Sequence, residues 1–270
     1  MRRIAHLSDL HFGRTDPAVL EDLKRAVMAT RPDMVVVSGD LTQRARTAEF
    51  RQARDFLAAL PKPQIVVPGN HDVPLYNVFK RGLTPLSRFT RYIGKQLSPF
   101  YADGEVAVLG INTARAFSLK SGRINRSQVK KACANFGPLP ASVIRVVVTH
   151  HPFAVPESGT HRTIVGRAKM AMEAFGDCKV DIVLSGHLHV SQAITSETLY
   201  AGPHAALLVQ AGTASSTRRR DETNAFNLLR LDGLRVDVER HDWEDGGFIV
   251  ACRQRFQRRP TGWVQQTKAA

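Results

Sequence analysis

The chain has only three cysteines, Cys133, Cys178 and Cys252, and none of them belongs to a C-x-x-C arrangement. An odd, widely spaced set argues against a disulfide framework and against a thiolate zinc site, and it fits a reducing cytosol. Long apolar runs are missing too: residues 34–37 and 146–148 are among the longest, far short of the ~20 residues that cross a bilayer. Met1-Arg2-Arg3 carries the charge of a leader peptide, but Asp9 and His11 interrupt the apolar stretch that should follow, so secretion is not expected. Aromatic residues make up 7% of the chain, which leaves few stacking platforms for single-stranded nucleic acid. Internal repeats and low-complexity segments are also lacking.

Positive charge is plentiful. Lys and Arg number 38 against 24 Asp and Glu, a formal net charge of +14 over 270 residues. Such a field favours anionic partners: phosphate groups, nucleic acid or an anionic membrane surface. Much of the excess falls late, at Arg218, Arg219 and Arg220 and again at Arg253, Arg255, Arg258 and Arg259. Residues 251–270 are therefore read as a basic tail after a single domain of residues 1–250, either solvated and poorly ordered or attractive to anions. With 43% hydrophobic residues, the domain has material for a sizeable core. The expected location is cytoplasmic, with peripheral attachment at the inner membrane face as the open alternative.

Short β-branched runs at 3–7, 34–37, 64–67, 106–111, 143–148, 181–184 and 207–209 predict mostly buried strands. Helical patterns at 17–30 and 47–60 lie between the first of them, and Asp16 with Pro17 reads as a cap followed by the first helical position. Alternating strands and helices predict an α/β sheet. Residues 76–100 look helical in parts despite Gly82, Pro85 and Gly94, and are expected to form a helical insertion. After residue 207 the pattern turns β-rich, with strands at 225–231 and 234–239 joined at Asp232-Gly233, a strong hairpin signal.

The chemistry is concentrated where five of these strands end. Ser8-Asp9-Leu10-His11, Gly39-Asp40-Leu41-Thr42, Gly69-Asn70-His71-Asp72, Thr149-His150-His151-Pro152 and Gly186-His187-Leu188-His189 each follow an apolar run. Sites in α/β sheets assemble at the carboxyl ends of strands, where loops converge on a rigid base. Imidazole nitrogen combined with carboxylate and amide oxygen, without thiolate, suits Mn, Fe, Co, Ni or Zn. Asp9 with His11, and His187 with His189, are separated by one residue, which puts both members on one side of an extended segment. Any one of these groups could be a cap or a satisfied core polar residue. Their joint recurrence at strand ends predicts a metal cluster. By contrast, 212–218 (Gly-Thr-Ala-Ser-Ser-Thr-Arg) reads as a turn of small residues, with hydroxyls and an arginine that reach a substrate phosphate as the alternative, and Thr42, Gln43 and Arg44 read as caps for the helix beyond them, with pocket lining as theirs.

The order D-x-H, G-D, G-N-H-D, a single His, then G-H-x-H resembles the calcineurin-like metallophosphoesterase family, from about residue 4 to residue 189. Within it, the Ser-Asp-Leu-His start looks most like bacterial cyclic-nucleotide phosphodiesterases. The resemblance implies a four-layer α/β/β/α sandwich of two mixed sheets flanked by helices. It also implies two divalent ions bridged by Asp40, one held further by Asp9, His11 and His189, the other by Asn70, His150 and His187. The choice of His150 over His151 follows the family pattern. A hydroxide shared by the ions would attack phosphorus in line. His71 is implied as the catalytic group facing the phosphate or the leaving oxygen; Asp72 reads as its orienting group, and His151, beside Pro152, as support for the ligands or as a merely buried residue. The expected activity is phosphodiester hydrolysis. The alternatives are a phosphomonoesterase, a pyrophosphatase of UDP-diacylglucosamine type at a membrane surface, and a nuclease or nucleic-acid binder. A metal-dependent scaffold without activity would have no chemical need for the full ligand set with His71.

Overall fold

β-branched residues favour extended backbone because their branched side chains pack well on a pleated surface, and every strand expected up to residue 239 forms. A computed structural model describes residues 1–75, 82–116, 121–155, 164–217 and 222–266. Its strands are β1 (Arg2–Leu7), β2 (Met34–Val37), β3 (Gln64–Val66), β4 (Phe100–Ala102), β5 (Val106–Gly110), β6 (Ile144–Val148), β7 (Ile182–Ser185), β8 (Gln192–Thr195), β9 (Leu207–Gln210), β10 (Ala225–Leu231), β11 (Arg235–Glu244), β12 (Gly247–Arg259) and β13 (Gly262–Gln266). The helices are α1 (Pro17–Ala29), α2 (Thr47–Ala58), α3 (Ser87–Tyr92), α4 (Arg126–Phe136) and α5 (Ala168–Asp177).

One sheet runs β13-β12-β11-β10-β1-β2-β3 and the other β4-β5-β6-β7-β9-β8. Period-two alternation sorts their side chains. Ile4, Met34, Val36 and Ile65 of the first sheet meet Val108, Ile144, Val146 and Leu184 of the second in a core between the sheets. Ala5, Leu7, Val35 and Val37 point the other way, onto Leu23 and Val27 of α1 and Phe50 and Phe56 of α2. On the far face of the second sheet, Val147 and Val183 pack with Val129 and Phe136 of α4 and with Ala171 and Phe175 of α5. Each such side chain contributes about 1.5–3 kcal/mol by leaving water. The result is the expected four-layer α/β/β/α sandwich. Within each sheet the site-bearing strands are parallel, β1 with β2 and β2 with β3, β5 with β6, β6 with β7 and β7 with β9. Their carboxyl ends share one edge.

Asp16 caps α1 as anticipated, its carboxylate accepting from the Ala18 amide at 3.0 Å, with Pro17 in the first helical turn. In the 76–100 insertion, α3 is a short helix from 87 to 92, and residues 76–81 lie outside the described residues. The arginines at 218–220 lie outside them too.

Two expectations are corrected. Cys133 on α4 and Cys178 just beyond α5 form a disulfide across 45 residues of sequence, while Cys252 is free and exposed. Spacing rules cannot see a pair that exists only because two helices pack together on one sheet face, and the cysteine count therefore carries no argument for a reducing compartment. The second correction concerns residues 251–266, which are strand and not tail. Phe256 of β12 and Trp263 of β13 are fully buried in the core between the sheets. Trp263 Nε1 donates to Asp181 Oδ1 at 3.1 Å, and Arg258 pairs with the same carboxylate at 3.0 Å. Arg253 pairs with Glu239 at 3.3 Å and Arg255 with Asp237 at 2.7 Å. Three of the four late arginines thus pair within the fold. No helix among the described residues is long and apolar enough to cross a membrane.

Candidate metal centre

Strand pairing stops where the site begins, and the backbone there takes a shape that ordinary residues avoid. Asp9, His11, Asp40, His187 and His189 all have positive φ, between 51° and 76°. Left-handed backbone at non-glycine residues costs of order 1–3 kcal/mol each and persists only where the surroundings impose it. The imposition is visible. The Asp9 amide donates to the Gly39 carbonyl at 3.1 Å and the His11 amide to the Asp40 carbonyl at 3.0 Å. Thr213 Oγ1 holds the Asp9 carbonyl at 2.8 Å and Ser215 Oγ the Leu10 carbonyl at 3.0 Å. The 212–218 stretch, read from sequence as a turn of small residues, thus supplies buried hydroxyls that tie down the first ligand loop. Gly39 has φ +95°, and a Cβ there would lie 2.7 Å from His150 Nδ1. A Cβ on Gly69 would collide with the Asp40 carboxylate.

Two groups of donors result. In one, Asp9 Oδ1 lies 3.2 Å from His189 Nε2 and 3.6 Å from His11 Nε2, and the two imidazole nitrogens are 3.2 Å apart. In the other, His150 Nε2 lies 3.1 Å from Asn70 Oδ1 and 3.2 Å from His187 Nδ1. Asp40 stands between, its Oδ2 3.8 Å from His11 Nε2 and 3.4 Å from His150 Nε2. Bonds of about 2 Å from one ion to neighbouring vertices would set donor atoms roughly 3 Å apart, and the observed separations have that scale. All seven side chains that the sequence singled out as ligands are brought together.

The donor set fits cations on its own chemistry. Asp9 Oδ2 accepts from Ser8 Oγ at 2.6 Å and from the His187 amide at 2.9 Å, whereas Asp9 Oδ1 is buried with no hydrogen bond. Burial alone would raise the carboxyl pKa of Asp9 and Asp40. The surrounding imidazoles, His189 foremost for Asp9 and His150 for Asp40, outweigh it and hold both well below the usual carboxylate range. Burial would depress His150, yet the Asp40 carboxylate pushes its pKa up to about 9. His187 is pushed down to about 3 by burial and by the charge on His150. Buried carboxylates held ionised among imidazoles form a site that attracts positive charge. His150 Nδ1 donates to the Ser38 carbonyl at 2.8 Å, which fixes the tautomer and aims Nε2 at Asp40.

His71 and its neighbours depart from expectation. His71 Nδ1 meets the Gln43 carbonyl at 2.9 Å, so Gln43 orients the ring. Asp72 accepts from Thr42 N, Thr42 Oγ1 and Gly69 N, each at 2.9 Å, and from Leu41 N at 3.2 Å. It clamps the loops after β2 and β3, because its short side chain sits under four inward-pointing donors. Thr42 completes that clamp, while the position before the first turn of α2 is occupied by Arg46. His151 sits against the second donor group, its ring 4.6 Å from that of His187, with Nδ1 2.8 Å from Thr113 Oγ1. Ser38 and Thr113 escaped sequence reasoning, although Ser38 directly precedes the Gly39-Asp40 pair.

His6, one turn of strand before the site, is fully buried against Ser38 Oγ at 2.9 Å. Burial pushes its pKa down to about 3, against the pull of the Asp9 charge. An unfolded histidine takes up its proton near pH 6.5, so between there and pH 3 the unfolded chain binds one proton more than the native one. The stability is whole above pH 6.5 and is lost as pH falls, by about 1.4 kcal/mol per pH unit. Urea unfolding of His6→Asn at pH 7 and pH 5 is expected to show a drop smaller than wild type by about 2 kcal/mol. Equal drops would show that His6 is protonated in the native protein.

Residues 2–191 match the family model described as calcineurin-like phosphoesterase. The 3',5'-cyclic adenosine monophosphate phosphodiesterase CpdA of Escherichia coli (strain K12) is 24% identical over 204 residues, covering 69% of this chain and 69% of that protein. The glycerophosphodiester phosphodiesterase GpdQ of Enterobacter lignolyticus is 38% identical over 84 residues, 26% of this chain and 29% of that protein's length. A dimetal phosphatase from Danio rerio has the same fold, with a TM-score of 0.62 at 11% identity over 99% of each chain.

Proposed function

Because the chain belongs to the calcineurin-like phosphoesterase family and is a hydrolase of phosphoric esters, we propose that it cleaves phosphodiesters at a pair of divalent ions. The observation that carries this reading is the position of Asp40 Oδ2 between the two donor groups, 3.8 Å from His11 and 3.4 Å from His150. Asp9, His11 and His189 with Asp40 would hold one ion, and Asn70, His150 and His187 with Asp40 the other. Such ions, when bound, lower the pKa of water and offset the charge that gathers on phosphoryl oxygens. Diester cleavage over monoester cleavage is supported by the two relatives above, whose names describe phosphodiesterases.

The chain's own residues prepare the remainder. A carbonyl can only accept, so the Gln43 contact places a proton on His71 Nδ1. Nε2 of the neutral ring is then an acceptor, and it donates to a phosphoryl or leaving oxygen only as imidazolium. Asp40 Oδ1 accepts the His71 amide at 2.8 Å, which couples the carboxylate that would be shared by the ions to the segment that carries the ring. His71→Asn is expected to lower kcat by about 10²–10⁴-fold with metal content per chain preserved. Retention of wild-type kcat would reject the catalytic role.

The function itself is tested by manganese-dependent turnover of bis(p-nitrophenyl) phosphate against p-nitrophenyl phosphate. Diester turnover without comparable monoester turnover is the expected profile. The reverse profile would make the protein a phosphomonoesterase.

A further inference from the structure

Between the loop that follows β3 and helix α3 lies a cavity of about 650 Å³, within the ~300–1,000 Å³ typical of small-molecule sites. Its wall is mostly apolar, with Val73, Pro85, Leu86 and Leu97 prominent, and Asn112 and Arg115 add polarity on one side. Two segments that build the metal centre also build this cavity. Val73 stands two residues beyond His71, and its amide reaches the Asn70 carbonyl at 3.4 Å. Asn112 and Arg115 flank the Thr113 hydroxyl that meets His151 Nδ1 at 2.8 Å. The cavity is therefore a direct neighbour of the centre that would hold the phosphoryl group.

Arg115 is surrounded by charge of its own sign. Its Nη2 donates to the Arg123 carbonyl at 2.6 Å and to Gln128 Oε1 at 3.1 Å. Arg123 bridges by its backbone to Gly166, the residue before Arg167. Burial first, and then the charges of Arg123 and Arg167, hold the Arg115 pKa below its ordinary value. Arginines of the C-terminal strands pair with carboxylates, as Arg230 does with Glu239 at 3.2 Å and Arg255 with Asp237 at 2.7 Å. Among the described residues, no carboxylate forms an ion pair with Arg115, Arg123 or Arg167. Guanidinium groups near one another repel, and a phosphate, which accepts paired N–H bonds from arginine, relieves that repulsion.

We infer that the cavity and the arginines Arg115, Arg123 and Arg167 form one subsite, which takes an esterified group of nucleoside size in the cavity and a second phosphate on that group at the arginines. This rests on the phosphodiesterase reading and narrows its substrate class to diesters that carry a further, terminal phosphate.

The probes are thymidine 3′,5′-bisphosphate and thymidine 5′-phosphate, which differ only in the second phosphate, titrated calorimetrically into the manganese-loaded protein. The bisphosphate is expected to bind about tenfold or more tightly than the monophosphate. Arg115→Gln should bring the two affinities within about threefold of each other. Arg167→Gln, at an exposed position, should reduce the gap as well and serves if Arg115→Gln does not fold. Equal affinities in the wild type, or a gap that survives both substitutions, would overturn the subsite. Turnover of bis(p-nitrophenyl) phosphate, which has no second phosphate, is measured in the same preparations and reports separately on the phosphodiesterase reading. A protein that hydrolyses it but does not distinguish the two nucleotides retains the function and loses the subsite.

Discussion

Asp40→Asn is expected to reduce kcat/KM for bis(p-nitrophenyl) phosphate by on the order of 10³-fold or more, and to lower the metal bound per chain. The substitution is nearly isosteric. An amide oxygen can still accept the His71 N–H that Asp40 Oδ1 takes at 2.8 Å. The amide NH₂ then occupies the Oδ2 position, 3.4 Å from His150 Nε2, where it offers hydrogens in place of lone pairs and removes a full negative charge. His150 also loses the partner that pushes its pKa up to about 9, so its pKa should fall in the metal-free variant. Elemental analysis of the purified protein together with steady-state kinetics checks both parts. Full metal content with wild-type turnover would remove Asp40 from the bridging position.

A chain ending at residue 250 is expected not to fold. The deletion removes Phe256 and Trp263, both fully buried between the sheets, and large aromatic losses of this kind cost about 3–5 kcal/mol each. It also strips Asp181 of Arg258 and of the Trp263 indole, leaving the Arg145 amide at 2.9 Å as a hydrogen-bond donor to the carboxylate. Together these losses are comparable with the whole ~5–15 kcal/mol that holds a typical domain folded. Trp263→Ala is the graded version, with a fall in Tm of roughly 10 °C expected for a loss of that size in a chain of this length. If the truncated chain keeps the cooperative melt and the metal-dependent activity of the full chain, residues 251–270 are the dispensable tail that their composition suggests.

That contrast between composition and structure has a physical cause. Residues 253–259 read Arg-Gln-Arg-Phe-Gln-Arg-Arg, and a single apolar residue in seven carries no period-two signal. The strand forms because β11 offers it a long antiparallel partner and because Glu239 and Asp237 of β11, with Asp181 just before β7, neutralise its arginines. The Cys133–Cys178 pair has the same character, since nothing near either cysteine in sequence announces the other. His71 illustrates the limit at a single residue. Its neighbour Asp72 was the obvious orienting group, yet the carboxylate turned to four loop donors and the ring to the Gln43 carbonyl.

By itself the sequence determined which residues end the strands, and therefore that Asp9, His11, Asp40, Asn70, His150, His187 and His189 share one edge of an α/β sandwich. Burial periodicity and β-branching are local properties, written in neighbouring residues, so strand position and ligand type can be read without knowing the partners. The tertiary structure alone decided which nitrogen of each imidazole faces inward, which partners hold His71 and Asp72, and where the C-terminal strands dock. Those outcomes depend on contacts between groups tens to hundreds of residues apart. No local pattern encodes such contacts, because the free energy that selects them belongs to the packed pair and not to either segment alone.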